Sequence, residues 1–251
     1  KNKFKGLLWV HIGGIISPDF DKIVRFCKEK KIFLIEDCAH AHGSKFKNKY
    51  AGTFGSAGAF SFFPTKVMTT MEGGMIITNN IKIRNFAISM RNQGKGLKNF
   101  GCYHSDFGNS WRMLEISALL GLIQLKKLNY MIKKRTAVSK IYSTFLKRSG
   151  ITHSINDQMQ VASNYKFIIF GKNKRHVDYI KSYLLKKNII CGGGVYELPC
   201  HKQPVFKEYN KYSQFLEVSE KYCPLQICLP IHHNMDKETA EYCIKKLIEI
   251  Y

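Results

Sequence analysis

Residues 32–43 read IFLIEDCAHAHG, an unbroken apolar run followed at once by two acids. Another apolar run lies at residues 6–11, and Ser-Pro-Asp stands between the two at residues 17–19. These three residues predict a helix that extends to about residue 30, with the serine as N-cap and the proline at the first helical position. Strand, helix and strand in this order predict a βαβ unit with parallel strands, whose ligands bind beyond the carboxyl ends. Asp37 stands at such an end.

The composition is that of a folded chain with a strong positive charge. Of 251 residues, 45% are hydrophobic, which is enough for one large domain or two modest ones. No apolar run approaches the roughly 18 residues that a membrane helix needs, so we expect no membrane partner. The net charge is +22, but the basic residues are scattered along the chain. We therefore expect no nucleic-acid partner and favour an anionic small substrate.

The cysteines and the first residues bear on compartment and completeness. The eight cysteines form no CxxC pair and follow no secretion signal, which favours a reducing, cytoplasmic location. No two ligand pairs have the spacing of a structural zinc site, so we expect no metal. The chain opens Lys-Asn-Lys-Phe and enters a strand-like run without an initiator methionine. We expect that it begins inside a domain.

Downstream, short apolar runs alternate with segments of helical periodicity. The predicted strands are 57–63, 75–78, 165–170 and 227–229, and the predicted shorter helices are 81–92, 174–187 and 237–250, the last with Asp236 as N-cap. Apolar residues from 113 to about 146 keep a helical period, which predicts one long helix, or two end to end, between two domains. The predicted domains are 1–140 and 141–251.

Three further clusters carry the residues of a specific chemistry. Residues 60–66 read FSFFPTK, residues 72–75 read EGGM and residues 108–113 read GNSWRM. Together with the acids and histidines of residues 35–43, they resemble the DegT/StrS family of nucleotide-sugar aminotransferases, which are pyridoxal-phosphate enzymes of the aspartate aminotransferase fold. The resemblance extends from residue 10 to 125, and more weakly into the carboxyl-terminal part.

The resemblance implies an α/β fold with two parts. The first is the large domain of a type I pyridoxal-phosphate transferase, with a mostly parallel central sheet and helices on both faces. The second is a smaller α+β domain at the carboxyl terminus. In the family, the chain before the strand at Val10 supplies the first strands, a phosphate-binding turn and the residue that covers the other face of the cofactor. We expect that part of the large domain to be missing here.

Pyridoxal-phosphate chemistry needs an amine, an anionic partner for the ring nitrogen and a phosphate cradle. The resemblance implies that Lys66 bonds to the cofactor and moves the proton, and that Asp37 keeps the pyridine nitrogen protonated. Ser61 occupies the position of the phosphate-binding serine. His40 occupies a position, Gln or His in relatives, that lies against the ring and its O3′. His42 is interpreted as structural.

The 108–113 cluster departs from the family pattern at one position. Relatives usually carry Asn two residues before the arginine, where it enters the neighbouring subunit's site and touches the cofactor phosphate. Here that position is Ser110, and Asn109 precedes it, so which of the two meets the phosphate stays open. Arg112 matches the arginine that can meet a substrate carboxylate. The resemblance thus implies a homodimer with shared sites.

The activity implied is transfer of an amine to a nucleotide-linked keto sugar, with glutamate as donor, for surface polysaccharide or glycoconjugate synthesis. The alternative within this fold is a sugar dehydratase that uses pyridoxamine phosphate, but such relatives replace the lysine with histidine, and Lys66 is present. A non-catalytic or regulatory remnant is the rival from another class. The nucleotide, the sugar carbon and the stereochemistry are left open.

Overall fold

A computed structural model of the chain describes residues 4–96, 103–154, 161–192, 197–208 and 216–251. The strands are β1 Gly6–Val10, β2 Phe33–Asp37, β3 Lys45–Phe46, β4 Lys49–Tyr50, β5 Ala57–Ser61, β6 Gly74–Ile77, β7 Phe167–Phe170 and β8 Gln226–Leu229. The helices are α1 Phe20–Glu29, α2 Ile81–Arg91, α3 Glu115–Arg148, α4 Lys174–Lys186, α5 Glu217–Tyr222 and α6 Lys237–Ile248. Within these residues, no helix combines the length and the apolar character that crossing a membrane requires.

The chain packs as two compact units. The first comprises Lys1–Lys133 and Asn156–Tyr165, and the second comprises Lys134–Ile155 and Lys166–Tyr251. The predicted long helix is a single one, α3, which begins in the first unit and ends in the second. The domain boundary predicted near residue 140 stays a prediction.

The first unit is built on a four-stranded sheet in the order β1, β2, β5, β6. Strands β1, β2 and β5 are parallel, and β6 is antiparallel to β5. Helix α1 connects β1 to β2, so the βαβ prediction and the mostly parallel α/β sheet are confirmed. Phe20 of α1 and Leu34 of β2 are buried in the core of this unit. On the other face, Leu8 and Phe33 are 63% and 59% exposed.

The predicted start of α1 is wrong by two residues. Asp19, and not Ser17, is the N-cap of the helix. The Ser17 carbonyl accepts a hydrogen bond from the Phe20 amide at 2.9 Å, and its hydroxyl accepts from the Asp19 amide at 3.2 Å. The Ser-Pro-Asp segment therefore forms a turn that leads into the helix, because the serine bonds to the residues two and three positions after it.

The second unit is an α+β structure around one antiparallel strand pair. Strand β7 pairs with β8, and helices α4 and α6 contact each other. The apolar core comprises buried residues from both strands, both helices and the end of α3, among them Tyr142, Phe167, Ile180, Leu229 and Ile244. The predicted N-cap of α6 is confirmed, because Asp236 accepts a hydrogen bond from the Thr239 amide at 2.7 Å.

A hairpin of two-residue strands, β3 and β4, follows the residues 35–43 and was not predicted from the sequence. Its turn residues Lys47 and Asn48 both have positive φ, at 47° and 64°. Two central residues of positive φ are the geometry of a type I′ turn, whose usual sequence signal is Asn-Gly. Because this turn has no glycine and the strands are short, the pattern carried no hairpin signal.

A buried carboxylate holds the loop that precedes β5. Glu36 on β2 accepts hydrogen bonds from His11 Nε2 at 3.0 Å and from the amides of Gly52 at 2.8 Å and Phe54 and Gly55 at 2.7 Å each. Burial by itself raises the pKa of Glu36, but these hydrogen bonds outweigh it and hold the pKa below its ordinary value. The carboxylate thus joins β1, β2 and the loop before β5.

We predict that Glu36→Gln lowers the free energy of unfolding by about 2–4 kcal/mol, because an amide cannot accept all four bonds. Both tryptophans, Trp9 and Trp111, lie in the first unit, so tryptophan fluorescence in urea reports on this unit. Exposed Glu29→Gln is the matched control and should change stability by less than about 0.5 kcal/mol.

The same pair of variants tests the pH dependence. Because the pKa of Glu36 is lower in the folded chain, its stabilisation is complete above the unfolded pKa and is lost as the pH falls through the folded pKa. Stability should therefore fall less on acidification in Glu36→Gln than in Glu29→Gln. Equal acid sensitivity in the two variants would contradict the assignment.

Candidate active site

Two of the predicted site residues end neighbouring parallel strands. Asp37 is the last residue of β2 and Ser61 the last residue of β5. Asp37 pairs with Ala59, so Ser61 follows two residues later at the same edge of the sheet. Asp37 Oδ1 accepts from the Ala39 amide at 3.0 Å, and no hydrogen bond reaches Oδ2 within the described part of the chain. One carboxylate oxygen is therefore available to a ligand.

Lys66 lies in a loop that is closed at its base by Phe62. The Phe62 amide donates to the Gly73 carbonyl at 2.9 Å, and its carbonyl accepts from the Thr70 amide at 3.0 Å. Inside the loop, the Lys66 amide donates to the Phe63 carbonyl at 2.9 Å. The loop begins after Ser61, at the end of β5, and returns the chain to β6. Lys66 lies within this loop, beyond the carboxyl end of β5.

His40 is buried and held by residues from outside its own loop. The Gly13 amide donates to His40 Nδ1 at 3.2 Å, so Nδ1 is an acceptor and the ring proton of the neutral form is on Nε2. The Ser163 hydroxyl donates to the His40 carbonyl at 2.6 Å. The imidazole also stacks on Tyr165, with centroids 4.3 Å apart and planes 26° apart. The ring plane is therefore fixed.

Tyr165 joins His40 to Lys66. Lys66 Nζ lies over the Tyr165 ring at 5.0 Å from its centroid, and the Tyr165 hydroxyl is 3.1 Å from Thr65 Oγ1. The sequence pattern marks this tyrosine only as the start of a predicted strand, which in the structure begins at Phe167. No local signal marks it, because Thr65 and Tyr165 are 100 residues apart in the chain.

His42 is buried next to the same loop. Its ring packs against Phe60 and Phe62, with centroids 5.5 and 5.8 Å apart. Burial lowers the pKa of His42 to about 4; the Ser61 carbonyl opposes this shift, and the Lys66 charge adds to it. The ring is neutral near pH 7. The interpretation of His42 as structural stays a prediction.

Ser110 and Arg112 form a separate group at the end of α2. The Arg112 guanidinium donates to Ser110 Oγ and to Asn92 Oδ1, both at 2.9 Å. Asn109 is held there by its amide, which donates to the Met90 carbonyl at 2.7 Å. In the described residues, no hydrogen bond joins this group to Asp37 or to the lysine loop, but Met113, which follows Arg112, packs against Phe62 and Met68 of that loop.

One group of potential metal ligands exists among the described residues, namely His11, Glu36 and Cys38. The Glu36 oxygens already accept four hydrogen bonds. Burial raises the pKa of Cys38 far above its ordinary value, and the neighbouring Glu36 and Asp37 charges add to this effect, so the group stays a thiol. Of these three residues, His11 and Glu36 are joined by a hydrogen bond, and the Cys38 thiol lies beside them.

Comparison with known proteins identifies the family. The model of the DegT/DnrJ/EryC1/StrS aminotransferase family matches residues 1–248. The chain belongs to this family. It is 31% identical over 253 residues to the GDP-perosamine synthase of Escherichia coli O157:H7, an alignment that covers 100% of this chain and 66% of that protein.

Two further comparisons also match aminotransferases that act in amino-sugar biosynthesis. The chain is 26% identical to the UDP-4-amino-4,6-dideoxy-N-acetyl-beta-L-altrosamine transaminase of Helicobacter pylori, covering 94% of this chain and 63% of that protein. The structure of Helicobacter pylori PseC, an aminotransferase of pseudoaminic acid biosynthesis, superposes with a TM-score of 0.88 at 25% identity, covering 98% of this chain and 67% of that one. The chain spans about two thirds of the length of the curated relatives that it matches.

The donor set of this family member fits pyridoxal phosphate. Asp37 offers a carboxylate oxygen, Ser61 a hydroxyl and His40 a ring of fixed plane. Lys66 has no acidic partner among the described residues, which leaves its amine available. A proton acceptor, an amine and a hydroxyl at one sheet edge are the groups that this cofactor needs.

Gly14 packs closely against the His40 backbone, and a substitution there measures how tightly this contact is packed. Its φ is +89°, and a Cβ there would lie 1.9 Å from Ser163 Oγ and 2.7 Å from the His40 carbonyl oxygen. We predict that Gly14→Ala lowers the free energy of unfolding by about 3 kcal/mol or more, from the left-handed backbone and the overlap together. Circular dichroism in urea measures the change.

The matched control is Gly150→Ala. Gly150 also has a positive φ, +67°, but nothing lies within 4 Å of its Cβ position. This variant carries only the backbone cost of about 1–2 kcal/mol. Equal losses in the two variants would show that Gly14 does not support His40 sterically.

Proposed function

We propose that this chain is a pyridoxal-phosphate-dependent aminotransferase that converts a nucleotide-linked keto sugar into an amino sugar, with glutamate as amino donor, for polysaccharide or glycoconjugate biosynthesis. One observation carries the proposal. Asp37 and Ser61 end neighbouring parallel strands, Lys66 follows in the loop after β5, and neither Asp37 Oδ2 nor the Lys66 amine is committed to another charged group among the described residues. Family membership supports it.

The bound cofactor supplies an electron sink for the carbanion that forms at the substrate carbon. Asp37, which is partly buried and has one uncommitted oxygen, would hold a proton on the pyridine nitrogen, because a nearby negative charge favours the protonated ring. Lys66 would hold the cofactor through its amine, and the same amine would move a proton at the reacting carbon of the substrate.

Ser61 and His40 bind and orient. The Ser61 hydroxyl, at the end of β5, would donate to the cofactor phosphate. His40 presents a ring whose plane is set by Tyr165 and whose Nδ1 accepts from the Gly13 amide, which leaves the ring proton of the neutral form on Nε2. Both side chains are held by backbone or ring contacts, which limits the entropy that binding must remove.

Arg112 binds the carboxylate of the amino donor. Its guanidinium is held by two neutral oxygens, those of Asn92 and Ser110, and pairs with no acid among the described residues. The planar cation is thus positioned without being neutralised, as bidentate carboxylate binding requires. The net charge of +22 also favours the approach of an anionic nucleotide sugar.

The active unit is a homodimer with shared sites. The match of residues 108–113 to the family pattern supports a role for Ser110 or Asn109 in the phosphate pocket of a second copy, and Ser110 Oγ accepts a hydrogen bond from Arg112 within one chain. We place the protein in the cytoplasm. Every cysteine among the described residues is free, which matches a reducing compartment.

We predict that pyridoxal phosphate followed by borohydride modifies Lys66, because its amine lacks an acidic partner. Peptide mass spectrometry measures the modification. Lys66→Ala should lose it, and Lys45→Ala, which removes another lysine that lies over an aromatic ring, should keep it. Modification of a different lysine in wild type would refute the assignment, and absence of any cofactor binding would favour the regulatory remnant.

Mixed dimers test the sharing of sites. A Lys66→Ala subunit is combined with a subunit changed to alanine at both Asn109 and Ser110, each of which should be inactive as a homodimer. If sites are shared, one site of the mixed dimer contains both substitutions and the other contains neither. Cofactor-loaded mixed dimers should then release about half as much 2-oxoglutarate from glutamate as wild-type dimers do in a single turnover. Confirmed mixed dimers without any release would show that each chain builds its site alone.

A further inference from the structure

Tyr165 is 8% exposed and touches two of the proposed site residues and the neighbour of one of them. We propose that Tyr165 is a positioning residue, whose ring holds the Lys66 amine and the His40 imidazole and whose hydroxyl fixes the loop that carries the lysine. This inference rests on the proposed function, because the importance of Lys66 and His40 comes from it. It assigns a role to a residue that lies outside all the motifs of the sequence analysis.

The first contact is between the ring and the lysine. Lys66 Nζ lies 5.0 Å from the Tyr165 centroid, within the range of a cation–π interaction. No carboxylate pairs with this amine among the described residues, so the ring face is the group that attracts the charge. The quadrupole of the ring holds the ammonium without a counter-ion, which keeps the amine free to react when a cofactor arrives.

The second contact fixes the imidazole. Tyr165 and His40 stack at 4.3 Å with an interplanar angle of 26°. The Gly13 amide binds His40 Nδ1 in addition, so one contact sets the ring plane and the other sets the rotation within that plane. A flat imidazole of defined orientation is what a side chain that lies against a cofactor ring needs.

The third contact reaches the lysine loop. The Tyr165 hydroxyl and Thr65 Oγ1 are 3.1 Å apart, and Thr65 precedes Lys66. The same tyrosine therefore holds the amine by its ring and the backbone turn by its hydroxyl. Its effect on the lysine has two separable parts, one for the ring and one for the hydroxyl.

The segment that carries Tyr165 is itself anchored to the first unit. The Lys45 amide donates to the Val161 carbonyl at 2.7 Å, and the Ser163 amide donates to Ser44 Oγ at 3.0 Å. Ser44 Oγ donates in turn to the Gly14 carbonyl at 2.7 Å. These bonds tie the segment to the chain on both sides of residues 35–43, so the tyrosine is held in place before any ligand binds.

The ring is tested by the variants Tyr165→Leu and Tyr165→Phe in the full chain without cofactor. The probe is acetic anhydride, and mass spectrometry compares acetylation of Lys66 with that of Lys45, whose Nζ lies 4.2 Å from the Tyr50 centroid. Loss of the Tyr165 ring should raise the Lys66 to Lys45 ratio about three- to tenfold, and Phe should keep it within about twofold of wild type. The matched control, Tyr50→Leu, should lower this ratio.

The hydroxyl is tested by the affinity for pyridoxal phosphate, measured by absorbance titration. Tyr165→Phe and Thr65→Val remove the same hydrogen bond, so each should weaken binding by about two- to fivefold, and the double variant should be no weaker than either. Tyr165→Leu should weaken binding about tenfold or more, because the ring contacts are lost as well. Tyr142→Phe removes the hydrogen bond of a buried tyrosine in the second unit and should not change the affinity.

The outcomes separate this inference from the proposed function. An unchanged Lys66 to Lys45 ratio in a folded Tyr165→Leu protein overturns the positioning role, and so does Tyr165→Phe behaving like Tyr165→Leu in acetylation. If Tyr165→Leu does not fold, additive effects of Tyr165→Phe and Thr65→Val overturn it instead. If wild type binds no pyridoxal phosphate, the proposed function fails, while the acetylation ratio still decides whether Tyr165 holds the lysine.

Discussion

The structure of the first unit depends on the buried carboxylate of Glu36. It is the last inward-facing residue of β2, and it accepts four hydrogen bonds, from the ring of His11 and from three amides in the loop before β5. A buried carboxylate without these donors would cost several kcal/mol. The donors are therefore obligatory, and they fix where the chain enters β5. Because Ser61 ends that strand and the lysine loop follows it, the position of the proposed cofactor site is set by a residue that touches no ligand.

The sequence was sufficient for the parts of the fold that arise from short-range patterns. Apolar periodicity and turn residues identified the βαβ unit, the long helix α3 and the N-cap Asp236, because each of these features follows from contacts between residues that are close in the chain. The hairpin of β3 and β4 was missed because its type I′ turn uses Lys47 and Asn48 in place of a glycine. The N-cap of α1 was misplaced because a serine next to a proline serves equally well as a turn residue.

Some residues of the candidate site could be predicted from the sequence, and others could not. Asp37, Ser61 and Lys66 were predicted together from the family resemblance, and the parallel pairing of β2 with β5 places Asp37 and Ser61 at the carboxyl ends of neighbouring strands. Tyr165 could not be predicted, since its contact with Thr65 spans 100 residues and nothing in its local sequence marks it. In the sequence, Glu36 appears only as an acid at the end of an apolar run. The available signal was the alternation of a strand, which puts Glu36 on the same face as Leu34, and both are buried. The role of Ser110 is not decided by the fold of one chain, because its contacts within that chain end at Arg112 and the end of α2.

The strength of the contacts around Lys66 matters as much as their positions. A buried carboxylate paired with this lysine would cost about 3–5 kcal/mol to separate, and a reacting cofactor would have to supply that energy. An aromatic face holds an ammonium by only about 0.5–2 kcal/mol, so Tyr165 can orient the amine and still release it. The loop bonds at Phe62 restrict the backbone at the same time, so the orientation does not depend on the weak contact alone. A rigid loop with a weakly held amine is the combination that covalent binding of a carbonyl cofactor requires.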